Sequence, residues 1–166
     1  MRLFIAVHFS DEVKNTLLDA IGSLKKQTAS ANFTREENLH LTLAFIGEST
    51  RVRDISDCID SLDCKKFSLT VGGCGNFGNL WWVGIEKNPT LSDIAENLQD
   101  SLRQKGFSIE KRPFKPHITI AREVAAKGRI SLSVPKKSMI VERISLMKSE
   151  RINGKLTYTE IYGRSI

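Results

Sequence analysis

Two stretches of the chain repeat one chemical pattern. The first is Asn38-Leu39-His40-Leu41-Thr42-Leu43-Ala44-Phe45, and the second is Lys115-Pro116-His117-Ile118-Thr119-Ile120-Ala121-Arg122. Each reads His-aliphatic-Thr-aliphatic-Ala. Histidine ionises at about 6.5, so it can give or take a proton near neutral pH. Side chains alternate along a strand, which puts His40 with Thr42, and His117 with Thr119, on one face. The aliphatic residues then point to the opposite face. An imidazole beside a hydroxyl on a rigid strand, presented twice, predicts a proton-transfer site with two halves. By the symmetry of the pattern, either histidine could be the base. Neither motif contains a carboxylate, which makes the pair a poor metal site.

Apolar spacing gives the elements that must position these residues. Arg2 to Phe9 reads as a strand. Val13, Leu17, Leu18, Ile21 and Leu24 recur at helical spacing, predicting a helix over Asp11 to Lys26 with Ser10 as its cap. Thr28 to Asn32 reads as a polar link, Phe33-Thr34 as a short approach strand, and Glu36-Glu37-Asn38 as a turn into the first motif. A second helix is predicted over Val52 to Leu62 and a third over Leu91 to Lys105, ended by Gly106. Phe67 to Cys74 and Leu80 to Glu86 read as a hairpin around a glycine-rich turn from Gly72 to Asn79. Those glycines lack the Lys-Ser/Thr ending of a nucleotide-binding loop. Phe107 to Arg112 repeats the approach segment. Ser138 to Ser149 and Leu156 to Arg164 read as two strands around Asn153-Gly154. The sum is an α+β fold with antiparallel sheets, both motif strands central and facing one cleft.

The 166 residues carry a formal charge of +6 and a sequence pI of about 9.3, which favours anionic partners. The composition is 40% hydrophobic and 27% charged, which excludes a disordered chain. Cys58, Cys64 and Cys74 lack zinc-ribbon spacing and are expected to be reduced thiols. His8 breaks the apolar start before a signal-peptide core can form, and no apolar stretch reaches the roughly 20 residues of a membrane helix. A cytoplasmic protein is therefore expected.

Three stretches resemble the 2H phosphoesterases, and within them the RNA 2′,3′-cyclic phosphodiesterases historically called 2′-5′ RNA ligases. They are Arg2 to Ala6, Glu37 to Gly47 and Arg112 to Arg122. The resemblance implies one bilobal domain over residues 1–166, with pseudo-two-fold symmetry, two antiparallel sheets lining a central cleft, and helices outside. It implies metal-independent hydrolysis of a terminal 2′,3′-cyclic phosphate to a 2′-phosphomonoester, with no cofactor. His40 becomes the proton donor, His117 the proton acceptor, and Thr42 and Thr119 donors to phosphate oxygens. The arginine closing the second motif falls on Arg122, although strict alternation would turn it off the His face. The partners expected are RNA ends or nucleotides bearing a cyclic phosphate, met by a monomeric enzyme. Alternative readings are a small cyclic-nucleotide phosphodiesterase, a reversible 2′-5′ ligase, or a non-catalytic RNA-binding module.

Further contacts are expected from aromatic rings. Trp81 and Trp82 are adjacent, so one faces the core and the other can stack on a base; Trp82 is the candidate. Phe33 stands where similar members often carry tryptophan, and Phe4 either lines the cleft or fills the core. His8 lies outside both motifs and reads as a strand-end residue.

Overall fold

The computed structural model describes residues 1–166. In chain order the elements are β1 (Arg2–Val7), α1 (Asp11–Lys26), β2 (Thr28–Phe33), a 3₁₀ turn (Glu36–Asn38), β3 (Leu41–Glu48), α2 (Val52–Asp60), β4 (Phe67–Phe77), β5 (Leu80–Ile85), α3 (Pro89–Gln104), β6 (His117–Ala126), β7 (Lys137–Val141), β8 (Arg143–Ile152) and β9 (Lys155–Ser165). The strands form a four-stranded sheet ordered β3-β1-β8-β9 and a five-stranded sheet ordered β2-β6-β5-β4-β7. Every pairing is antiparallel. The fold is the predicted α+β class.

The helices form where the apolar stripe and the caps agree. Ser10 Oγ accepts from the Val13 amide at 3.3 Å at the start of α1. Asp11 and Glu12 in the first turn, with Lys25 and Lys26 in the last, suit the helix dipole. α3 begins two residues before the predicted Leu91, because Asn88 caps it through the Leu91 amide at 3.1 Å and Pro89 opens it. α1 packs behind the five-stranded sheet, and α2 and α3 behind the four-stranded one. One hydrophobic cluster joins the backs of both sheets to the three helices, with Leu17, Leu43, Ile59, Leu98 and Ile120 among its buried members. No helix is long and apolar enough to cross a membrane.

Several expectations need correction. Thr28–Phe33 is a strand rather than a link, because it pairs with β6 along the sheet edge. The glycine-rich stretch is mostly strand: β4 continues to Phe77, and the turn narrows to Gly78-Asn79. The segment from Ser138 to Ser149 is two strands in different sheets, since β7 pairs with β4 and β8 pairs with β1, with a break at Glu142. Phe107 to Arg112 forms no strand, so the two approach segments are not equivalent. The motif strands are not both central either. β3 is the edge of its sheet, while β6 lies between β2 and β5. The final hairpin is as expected, with Asn153 and Gly154 both at positive φ, the geometry of a two-residue turn.

Candidate active site

Register decides which side chains reach the cleft. In β3, Thr42 pairs with Ala6 but Ala44 with Ile5, leaving Leu43 as an extra residue. In β6, Thr119 pairs with Trp82 but Ala121 with Trp81, leaving Ile120 as an extra residue. Both motifs therefore carry a bulge directly after the threonine. Two consecutive buried residues follow each threonine, Leu43 and Ala44 in one and Ile120 and Ala121 in the other. Alternation resumes one residue out of phase. That returns Arg122 to the same face as His117 and Thr119, correcting the expectation from strict alternation. Phe45 takes the matching place on β3 and is 52% exposed.

Both imidazoles are held in the same way. His40 Nδ1 donates to the Asn38 carbonyl at 2.7 Å, and His117 Nδ1 donates to the Lys115 carbonyl at 2.8 Å. A carbonyl only accepts, so Nδ1 carries a proton and Nε2 is left for chemistry on both rings. His40 Nε2 also lies 3.0 Å from Thr42 Oγ1. The 3₁₀ turn that delivers His40 is anchored to β9, where Asn38 Nδ2 and Arg35 both donate to the Leu156 carbonyl. The second motif is braced from Thr34, whose hydroxyl and amide donate to the Thr119 and Ile120 carbonyls, each at 2.9 Å.

Aromatic rings surround each histidine. The Phe4 ring centroid lies 4.9 Å from that of His40, and Tyr158 lies edge-on to His40 at 5.2 Å. Phe4 is only 4% exposed and belongs to a small cluster with Ala6 and Met147, so it backs the imidazole. Across the cleft, Phe77 lies 5.4 Å from His117 and 5.5 Å from Trp82. Trp82 occupies the cleft face opposite Thr119, whereas Trp81 packs against the core. Phe33 is not brought to this group. It pairs with Ala121 on the core side, with Lys25 over its ring. Tyr158 and Phe77 were missed by sequence reasoning. Alternation from the Asn153-Gly154 turn could have flagged Tyr158, but the strand reading of Phe77 was lost among the glycines.

The electrostatics are unequal. Burial pushes the His40 pKa below the usual histidine value; the bond to Asn38 opposes this, and the charges of His8, Arg122 and His117 add to it. Burial raises the Tyr158 phenol, with Arg122 and Arg2 opposing. The charge of Arg122, carried by β6, thus bears on His40 and Tyr158 of the other half of the site. A cavity of about 400 Å³ lies elsewhere, lined by Asn79, Trp81, Val124 and Arg129 among others, and contains neither motif histidine.

Comparison with known proteins adds an independent observation. Residues 9–153 match the family model described as the 2′-5′ RNA ligase superfamily. The chain is 38% identical over 133 residues to an RNA 2′,3′-cyclic phosphodiesterase of Thermotoga maritima, covering 74% of this chain and 70% of that one. It is 29% identical over 178 residues to one of Methanothermobacter thermautotrophicus, covering 97% and 96%. Among solved structures, E. coli LigT complexed with 3′-AMP superposes with a TM-score of 0.86 at 26% identity, over 99% of this chain and 97% of that one.

Proposed function

The chain belongs to the 2′-5′ RNA ligase superfamily, and on that premise we propose that it is an RNA 2′,3′-cyclic phosphodiesterase, opening terminal cyclic phosphates to 2′-phosphomonoesters. Water attacks phosphorus in line with the 3′-oxygen. His117 Nε2 accepts the proton of the water, and His40 Nε2–H protonates the departing 3′-oxygen. One P–O bond forms, one breaks, and the phosphate stays on the 2′-oxygen. Proton transfer of this kind contributes about 10²–10⁴-fold per group. Thr42 and Thr119 donate to the non-bridging oxygens as charge builds there. Arg122 adds a charge-assisted contact to the phosphate.

The observation that carries the reading is the matched pinning of the two rings. Each Nδ1 is tied to the carbonyl two residues back, which leaves each Nε2 for proton transfer, with that of His40 also meeting the Thr42 hydroxyl. Burial makes His40 the readier donor once its proton is in place, and the anionic substrate favours that proton. Trp82 and Phe77, beside His117, offer flat surfaces for a base. Residues 1–166 act as one bilobal unit in this reading, because each half of the site comes from a different sheet. The enzyme works as a monomer in the cytoplasm, a placement that suits its three free thiols, Cys58, Cys64 and Cys74.

An oligonucleotide ending in a 2′,3′-cyclic phosphate, incubated with the protein in excess EDTA, tests the proposal. The expected product is a 2′-phosphomonoester, read by phosphorus NMR. Absence of opening would overturn the activity, and a 3′-phosphate would overturn the placing of His40 beside the 3′-oxygen.

A further inference from the structure

A polar row crosses the cleft face of the four-stranded sheet and ends at His40. On β1 the alternate residues Phe4 and Ala6 lie on that face, and alternation continued past Val7 brings His8 to it. The register pairs Ala6 with Thr42 on one side and Ser145 on the other. Continued two residues past Ala6, just beyond the end of β1, the same register sets His8 level with His40 on one side and Arg143 on the other. β9 supplies Glu160 on the far side. The Arg143 guanidinium grips Glu160 through Nε at 2.8 Å and Nη2 at 3.1 Å, and Ser145 Oγ donates to the same carboxylate at 2.6 Å. Gly163 makes room for this pair, since a Cβ there would overlap both the Arg143 guanidinium and the Glu160 carboxylate. His40, His8, Arg143 with Ser145, and Glu160 thus follow the strand order β3-β1-β8-β9.

We propose that His8 is a positioning residue for proton transfer, which governs, through its own charge beside the fixed Arg143–Glu160–Ser145 seat, when His40 carries its proton. The inference rests on the reading of His40 as the proton donor. The groups that face His8 are Glu160 from β9, Arg143 from β8, Lys14 from α1 and His40 itself. Those that face His40 are His8, Arg122 and His117, with the Tyr158 ring beside it. A like charge on His8 disfavours the proton on His40, and the Glu160 carboxylate favours charge on His8. A proton on either ring weakens the hold of the other on its own, so a charged His8 makes His40 a stronger acid. A row of fixed groups leading away from the cleft thereby tunes the donor without touching substrate.

The chain has three histidines, so a proton NMR titration resolves them all, each assigned by its own variant. His8→Gln keeps a polar side chain and removes the charge. The His40 midpoint is expected to rise by about half a unit to one unit in His8→Gln, and the alkaline limb of kcat/KM is expected to move up with it. Glu160→Gln is expected to lower the His8 midpoint, because the attracting carboxylate is lost and Arg143 is left without its partner. An unchanged His40 midpoint in folded His8→Gln overturns the proposal; if that variant does not fold, His8→Asn is read in its place. A merely structural His8 would lower thermal stability without moving the titration. The titration is done without substrate, so it stands or falls separately from the phosphodiesterase reading, which the product assay tests.

Discussion

His40 Nε2 stands 3.0 Å from the Thr42 hydroxyl, while the other nitrogen of the same ring is committed to the Asn38 carbonyl. In the neutral ring Thr42 is therefore the donor and Nε2 the acceptor. Once Nε2 is protonated, the hydroxyl is released to turn toward the phosphate. Thr42→Val preserves the branched shape suited to β3 but removes this group. We expect kcat to fall by roughly 10–10³-fold, by analogy with loss of one oxyanion donor, with the circular dichroism spectrum unchanged. Thr42→Ser should recover much of the rate. A Thr42→Val enzyme with wild-type kcat would show that the hydroxyl has no part in the transition state.

Trp82 stands opposite Gly75 on the neighbouring strand, and a Cβ at that position would overlap its ring. The ring cannot stay where it is in Gly75→Ala. If Trp82 and the neighbouring Phe77 receive a base, the variant should raise KM by up to roughly tenfold, part of the stacking energy of one base, with kcat less affected. A change in tryptophan emission should accompany it. An altered emission with unaltered KM would separate Trp82 from substrate binding.

Much of the candidate site's arrangement could be read from the repeated His-x-Thr pattern, because residue type and strand period are both local properties. The bounds of α1 were legible for the same reason, with the cap at Ser10 and the apolar stripe agreeing. Arg122 was not, because its direction depends on a bulge that only the pairing with β5 reveals. His8 read as an ordinary strand end, since its nearness to His40 comes from a partner strand more than thirty residues away in sequence. The break at Glu142 was hidden by a continuous strand-like composition, and only the separation of the two sheets imposes it. Phe33 had the right chemistry for a base, but pairing with Ala121 turns it to the core.

The bulges give Ala121 and Ala44 their own test. Ala121 is fully buried, and Ala44 nearly so, just after each bulge. A larger side chain has no room there. Ala121→Val should cost about 1–3 kcal/mol by overpacking, seen as a lower midpoint in urea. It should also disturb Arg122 next to it, so that kcat/KM falls more than stability alone explains. Wild-type stability and kinetics in this variant would mean that the alanine is not required by the bulge.

The half-buried histidines also set how stability varies with pH. His8 and His40 both have pKa values below the ordinary histidine value, with burial the largest cause in each. The unfolded chain therefore takes up protons at these sites before the folded one does. Stability is full above the unfolded value of about 6.5 and is lost as pH falls from there toward the folded values. Glu160 works in the same direction at lower pH. Its bond to Arg143 holds its pKa below the ordinary carboxyl value, so its contribution disappears as the carboxylate is protonated. The melting temperature should accordingly decline between about pH 7 and pH 5. In His40→Gln the decline should be shallower, because one of the two resisting sites is gone. A melting temperature that is flat over this range, or that rises on acidification, would show that the two rings are solvated well enough to charge in place.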